Sequence, residues 1–129
     1  MPYFECISLL DYLLQKLFAG QRVQVSASVT DELLQVLSCV DAKLPEQPPV
    51  FQMRFVDVMQ AIKEISSTQG LLFLSDSMRQ ALVSGITEMK TVLQLDAFDY
   101  YRTHDFDVTD ETIPILRGIV KTALENDAI

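Results

Sequence analysis

Apolar positions recur at steps of three and four along five stretches of the chain, the spacing that gathers them on one face of an α-helix. The first stretch covers 3–19, where Phe4, Ile7, Leu10, Leu13, Leu14, Leu17 and Phe18 leave a narrow wedge for Glu5, Ser8, Asp11, Gln15 and Lys16. A helix apolar over so much of its circumference is either central to a core or keeps a second flank for a partner. Gly20 follows it and suits a C-terminal cap, because glycine reaches positive φ without a Cβ clash. A polar link over 21–28 leads to Thr30, whose hydroxyl is expected to cap the second helix, with Asp31 and Glu32 well placed against its dipole. Leu33, Val36, Leu37, Val40 and Leu44 form the stripe of that helix. Pro45, Pro48 and Pro49 end it, since proline lacks an amide proton and crowds the preceding turn.

The third helix, over 50–67, carries Phe51, Phe55, Val58, Met59, Ile62 and Ile65 on one face. The run Leu71-Leu72-Phe73-Leu74 is too short to assign by period. Strand and buried helical turn are both open, and the helical turn is favoured because no second strand stands out to pair with it. Ser75-Asp76-Ser77 is an N-cap cluster for a fourth helix with Met78, Leu82, Ile86, Met89 and Leu93 inward; Gly85 on the same face suggests a close helix crossing. Over 96–107, Phe98, Tyr100, Tyr101 and Phe106 interleave with Asp96, Asp99, Asp105 and Asp107, a texture expected of a connection. The last helix runs to about Glu125. It starts either at Thr109 or nearer Thr112, where Pro114 is tolerated in the first turn.

Val-Thr-Asp-Glu occurs twice, beginning at Val29 and at Val108, each time at the head of a helical pattern. The flanks align without a gap: Leu14-Gln15 falls on Leu93-Gln94, and Val36-Leu37 and Val40 fall on Ile115-Leu116 and Ile119. This suggests an internal duplication relating 14–44 to 93–124. The expected fold is therefore an all-α single-domain bundle of about five helices across 1–129, built as two related hairpins with the third helix between them.

The 129 residues suffice for one real core, and 49% apolar content argues against disorder. With 18 acids against 10 Lys and Arg, the formal charge of −8 repels phosphates, and the cations are scattered, so direct nucleic-acid binding is not expected. A basic protein partner suits that charge. Cys6 and Cys39 sit inside apolar patterns with no CxxC and are expected to act as small hydrophobes, in keeping with a reducing cytoplasm. No stretch has the length of a membrane span, and the N-terminus lacks the basic leader of a secretory signal.

His104-Asp105-Phe106-Asp107 is where the only histidine meets carboxylates, and local spacing supplies at most two metal ligands where three or four are needed. The four glycines are isolated, so there is no phosphate-cradling loop, and no nucleophile motif occurs. No enzyme, metal or cofactor is expected. The aromatic and acidic residues Phe98, Asp99, Tyr100, Tyr101, Asp105 and Asp107 instead suit a binding surface: tyrosine supplies contact area at low entropic cost, and aspartates select a cationic partner. Tyr3, Phe4 and Leu14, on the broad apolar surface of the first helix, are expected to complete that surface or a homodimer.

Residues 9–65 resemble the later helices of the histidine phosphotransfer domain of chemotaxis-type histidine kinases. The likeness lies in Leu10-Asp11-Tyr12-Leu13-Leu14 ending a helix, Ala19-Gly20-Gln21 turning, Val29-Thr30-Asp31-Glu32-Leu33-Leu34 reopening, and proline-rich spacing before Phe55. It implies a helical bundle that docks response regulators. The histidine of that family is followed closely by a Lys-Gly pair, whereas His104 precedes Asp105-Phe106-Asp107, so the resemblance implies a module that kept docking and lost phosphotransfer. The function expected from the sequence is thus non-catalytic protein binding, as a regulator or adaptor. The alternative is an acidic stoichiometric inhibitor, of the immunity, anti-defence or nucleic-acid-mimic kind, acting on a basic enzyme.

Overall fold

The computed structural model describes residues 3–20, 22–41, 49–68 and 71–127, which form five helices and one short ribbon: α1 (Tyr3–Phe18), β1 (Arg22–Gln24), α2 (Ala27–Asp41), α3 (Pro49–Ser67), β2 (Leu71–Phe73), α4 (Asp76–Tyr101) and α5 (Thr112–Glu125). The all-α bundle expected from the periodicity is what forms. The side chains of Val36, Leu37, Cys39, Val40 and Phe51, together with Leu44, Pro45 and Pro48, lie outside the described residues.

α1 is a central helix. It buries Tyr3, Cys6, Ile7, Leu10, Leu13, Leu14 and Leu17, and it touches α2, α4, α5 and β1, so most of its wide apolar circumference is spent inside the chain, with Phe18 at its end left exposed. This withdraws Leu14 and Tyr3 from an outer docking flank: they are 8% and 3% exposed. α4, with 26 residues and a length of about 39 Å, packs on α1, α3 and α5. It runs on through Tyr101, so 96–101 is helix where a connection was expected. Leu93, Ala97 and Tyr101 continue the inward stripe of Met89 at steps of four, and that continuity outweighs the polar texture of Asp96 and Asp99. Gly85 lies buried on the same stripe.

Two further expectations are overturned. Thr30 does not cap α2. It lies in the second turn, 1% exposed, with its hydroxyl donating to the Ser26 carbonyl at 3.1 Å, while Ser26 Oγ accepts from the Val29 amide at 3.4 Å. Ser26 is the capping residue; the helix extends one turn upstream because serine there satisfies the free amides, and Thr30 bonds back as threonine does inside helices. Residues 71–73 are also strand, not helical turn. β2 pairs antiparallel with β1 in the register Arg22 to Phe73, Val23 to Leu72 and Gln24 to Leu71.

That register is the one produced by a two-fold axis through the Val23–Leu72 pair, and the flanking chemistry follows the same symmetry. After β2, Ser75 Oγ accepts from the Met78 amide at 3.3 Å and lies 3.3 Å from Ser77 Oγ; after β1, Ser26 does the same toward Val29 and lies 3.4 Å from Ser28 Oγ. Leu33 and Leu82 then occupy matching buried positions. The bundle is thus two helix–strand–helix units, α1–β1–α2 and α3–β2–α4, joined at their strands, with α5 added against α4 and α1. Gly20, at φ +147, makes the turn from α1 into β1 in a conformation that a side chain would strain.

α5 starts where proline chemistry allows. The Thr112 amide donates to Thr109 Oγ1 at 3.3 Å, and the Thr109 amide donates to Thr112 Oγ1 at 2.8 Å, a reciprocal pair that closes the first turn ahead of Pro114. The two Val-Thr-Asp-Glu copies therefore sit differently, the first within a helix and the second before one.

Candidate functional site

α1 and α4 run antiparallel, held midway by an ion pair between Lys90 and Asp11. The start of α1 therefore meets the end of α4, and the aromatic residues collect there. Phe4 stacks on Tyr101 with centroids 4.9 Å apart and planes 7° from parallel. Tyr101 also contacts Phe106 at 4.8 Å, Tyr100 at 5.2 Å and Tyr3 at 5.8 Å. Tyr100 extends the cluster outward by stacking on His104 at 4.0 Å. Such offset and edge contacts suit the ring quadrupoles and add to what burial contributes.

Of the sequence candidates, the structure brings together Tyr3, Phe4, Phe98, Tyr100 and Tyr101 and excludes Leu14, which lies in the core. Tyr3 is the buried floor. Phe4, Phe98 and Tyr101 are half-buried, and Tyr100 and Phe106 are exposed at 37% each. Asp99, Asp105 and Asp107, next to Tyr100 and Phe106 in the chain, are all exposed. Asp99 accepts from Arg102 at 3.0 Å, and the same guanidinium lies 5.3 Å from the Phe98 ring centroid, so the surface already holds one cation against a ring and a carboxylate. Asp105 and Asp107 carry no such ion pair among the described residues.

His104 lies past the end of α4. Its Nδ1 is 2.9 Å from the Tyr100 carbonyl oxygen and 3.0 Å from Thr103 Oγ1. A carbonyl only accepts, so a neutral ring bonded to it carries its proton on Nδ1. Among the described residues no three His, Cys, Asp or Glu side chains gather as a metal would require. Cys6 is buried in the core, and no described helix is long and apolar enough to cross a membrane.

Burial raises the Tyr101 pKa above its ordinary value, and the neighbouring Tyr100 and Tyr3 hydroxyls add to the effect. The folded chain thus holds this proton more tightly than the unfolded chain. The associated stability is fully present below about pH 10 and is lost as pH rises through the folded-state value. Ultraviolet titration should show one late-ionising tyrosine that disappears in Tyr101→Phe, and that variant should lose less stability at alkaline pH than the parent.

One further surface lies outside the residues to which the sequence points. A shallow apolar trough of about 490 Å3 follows the outer flank of α5, lined by Ile113, Leu116, Val120 and Leu124 with Arg117, Lys121 and Glu125 on its edges. A smaller hollow of about 160 Å3 continues from Leu116 and Val120 to Phe98, Tyr101 and Phe106. The signal was present in the α5 pattern, whose apolar positions span more of the helix than burial of Ile119 and Ala123 requires.

Fold and site together define a small all-α bundle with an aromatic, acidic end. No family model, curated protein or solved structure matches the chain.

Proposed function

We propose that the chain is a non-catalytic protein-interaction module, a regulator or adaptor whose aromatic end takes a cationic segment of a partner protein. The observation that carries this reading is the placement of exposed Tyr100 and Phe106 among the carboxylates Asp99, Asp105 and Asp107, on a floor of packed rings. Rings fixed by their neighbours lose little entropy on binding, and carboxylates beside them select lysine or arginine over neutral side chains. Arg102, over Phe98 and against Asp99, exemplifies within the chain the contact a partner cation would make.

The acids of 96–111 also favour a second reading, an inhibitor that covers the basic site of an enzyme, because Asp96, Asp99, Asp105, Asp107, Asp110 and Glu111 crowd one stretch. A response-regulator partner, implied by the phosphotransfer resemblance, is a narrower form of the first reading. Affinity capture from the native host with the unmodified chain and with a Tyr100→Ala, Asp105→Asn, Asp107→Asn variant, followed by mass spectrometry, tests all of these. A partner with a basic region that is lost in the variant and released by salt supports the proposal. Capture of the same proteins by both forms overturns it, and a captured enzyme whose activity falls in proportion to added chain selects the inhibitor.

A further inference from the structure

The two helix–strand–helix units repeat at a constant interval of 49 positions: Val23 and Leu72 pair in the ribbon, Ser26 and Ser75 cap, Leu33 and Leu82 are buried, and α1 and α3 end at Phe18 and Ser67. Matched this way, Tyr12 of α1 corresponds to Ala61 of α3. Tyr12 is half-buried and packs against the core, with Lys16 Nζ 5.3 Å from its ring centroid. Where α3 has alanine instead, a hollow of about 250 Å3 opens between α3 and the first turns of α4, with Ala61, Leu74, Ala81 and Leu82 as its apolar lining and Met78, 51% exposed, beside them. The smaller side chain accounts for the room.

Charge distinguishes the two places as well. Asp57 and Glu64 line the hollow, one turn before and one turn after Ala61 on α3, and none of the described residues lining it is cationic. Their counterparts in the other unit are Ser8 and Gln15, both neutral. The unit without the ring thus carries an exposed carboxylate on either side of its place, and neither has an ion pair among the described residues. We propose that this groove docks a segment of a partner protein in which an aromatic residue is flanked, one helical turn away, by lysine or arginine, the ring seating over Ala61 and Ala81 and the cations meeting Asp57 and Glu64. Tyr12 shows that this place in the fold accepts a ring. A ring laid on apolar lining supplies contact area, while the carboxylates select the cations beside it. An acidic segment would be repelled, and a neutral one would leave both carboxylates unpaired. From Ala81 to Tyr100 along α4 is about 30 Å, so this groove is separate from the aromatic end and does not rest on the reading proposed for it.

Nuclear magnetic resonance of the full chain, labelled at its alanine, leucine and methionine methyl groups, tests this with an alanine-based helical peptide carrying a tyrosine and a lysine one turn to either side. Titration is expected to shift Ala61, Met78, Ala81 and Leu82 with a dissociation constant on the order of 1 mM, as suits one ring and two exposed ion pairs. The same peptide with glutamate for lysine, or with alanine for tyrosine, should not bind. Ala61→Tyr places in α3 the ring that Tyr12 supplies in α1, and should abolish those shifts. Asp57→Asn with Glu64→Gln, both at exposed positions, should raise the dissociation constant by roughly fivefold. The charge variant and the altered peptides decide the matter even if Ala61→Tyr disturbs folding. No shift at these four residues overturns the inference, as does binding that the charge substitutions or the glutamate peptide leave unchanged. Shifts confined to the surroundings of Tyr100 also overturn it, and support the separate reading of the aromatic end.

Discussion

Leu10→Ala is expected to lower the unfolding free energy by about 2–5 kcal/mol, the range for removing a large aliphatic side chain from a packed interior. Leu10 is 0% exposed at the middle of α1, the helix that touches α2, α4, α5 and β1. A cavity there faces several elements at once, and none can close it without leaving another neighbour. The cost should therefore fall toward the upper end of the range. Against a total stability of about 5–15 kcal/mol for a domain, that is enough to shift a denaturant midpoint far outside experimental error. A loss below about 1 kcal/mol would mean the site collapses freely, and α1 would not be the central helix described here.

The helices were legible because burial imposes a period, and a period survives in the sequence. Phe55, Val58, Ile62 and Ile65 on α3, and Leu82, Ile86, Met89 and Leu93 on α4, are inward as their spacing requires. The central position of α1 was half-legible: the excess of apolar residues was plain, but only the packing decides whether a second flank faces a partner or another helix. Tyr3 and Leu14 face other helices of the same chain. The end of α4 is not legible in the sequence because Asp96 and Asp99 lie on its polar side and give the segment the texture of a loop, while Ala97 and Tyr101 carry the stripe onward.

The ribbon is hidden in the sequence for a different reason. Val23 and Val25 alternate with Arg22, Gln24 and Ser26, which is a strand pattern, yet three residues give too short a run to register within a polar link. The repeated Ser-x-Ser after each strand, Ser26 with Ser28 and Ser75 with Ser77, was the better sign of internal symmetry. Val-Thr-Asp-Glu drew attention by its identity, but Thr30 and Thr109 hold different places relative to their helices. Short identities are weak evidence beside a shared capping role. The aromatic site was legible in kind and not in assembly: the sequence held Phe98, Tyr100 and Tyr101 together, and only the antiparallel run of α1 and α4 brought Tyr3 and Phe4 to them.

Val23→Asp tests the link between the two helix–strand–helix units. Val23 is 0% exposed and pairs with Leu72 at the centre of the ribbon, so one side chain belongs both to the sheet and to the core. A carboxylate there has no cation to meet among the described buried residues, whose polar members are Thr30 and Gln94. An uncompensated buried charge costs on the order of 3–5 kcal/mol, which would leave the chain close to unfolded at neutral pH. Burial raises the pKa of such a carboxyl in the folded state, so the introduced group destabilises least when it is protonated. Relative to the parent, the variant should be most stable below the unfolded aspartate pKa of about 3.9 and should lose that ground as pH rises through the folded-state value. Val23→Ala, which leaves a smaller cavity and no charge, should show a moderate loss with no such pH dependence. Denaturant unfolding of the three proteins between acid and neutral pH separates the outcomes: equal losses for Asp and Ala at every pH would place residue 23 in contact with water and remove the ribbon from the core.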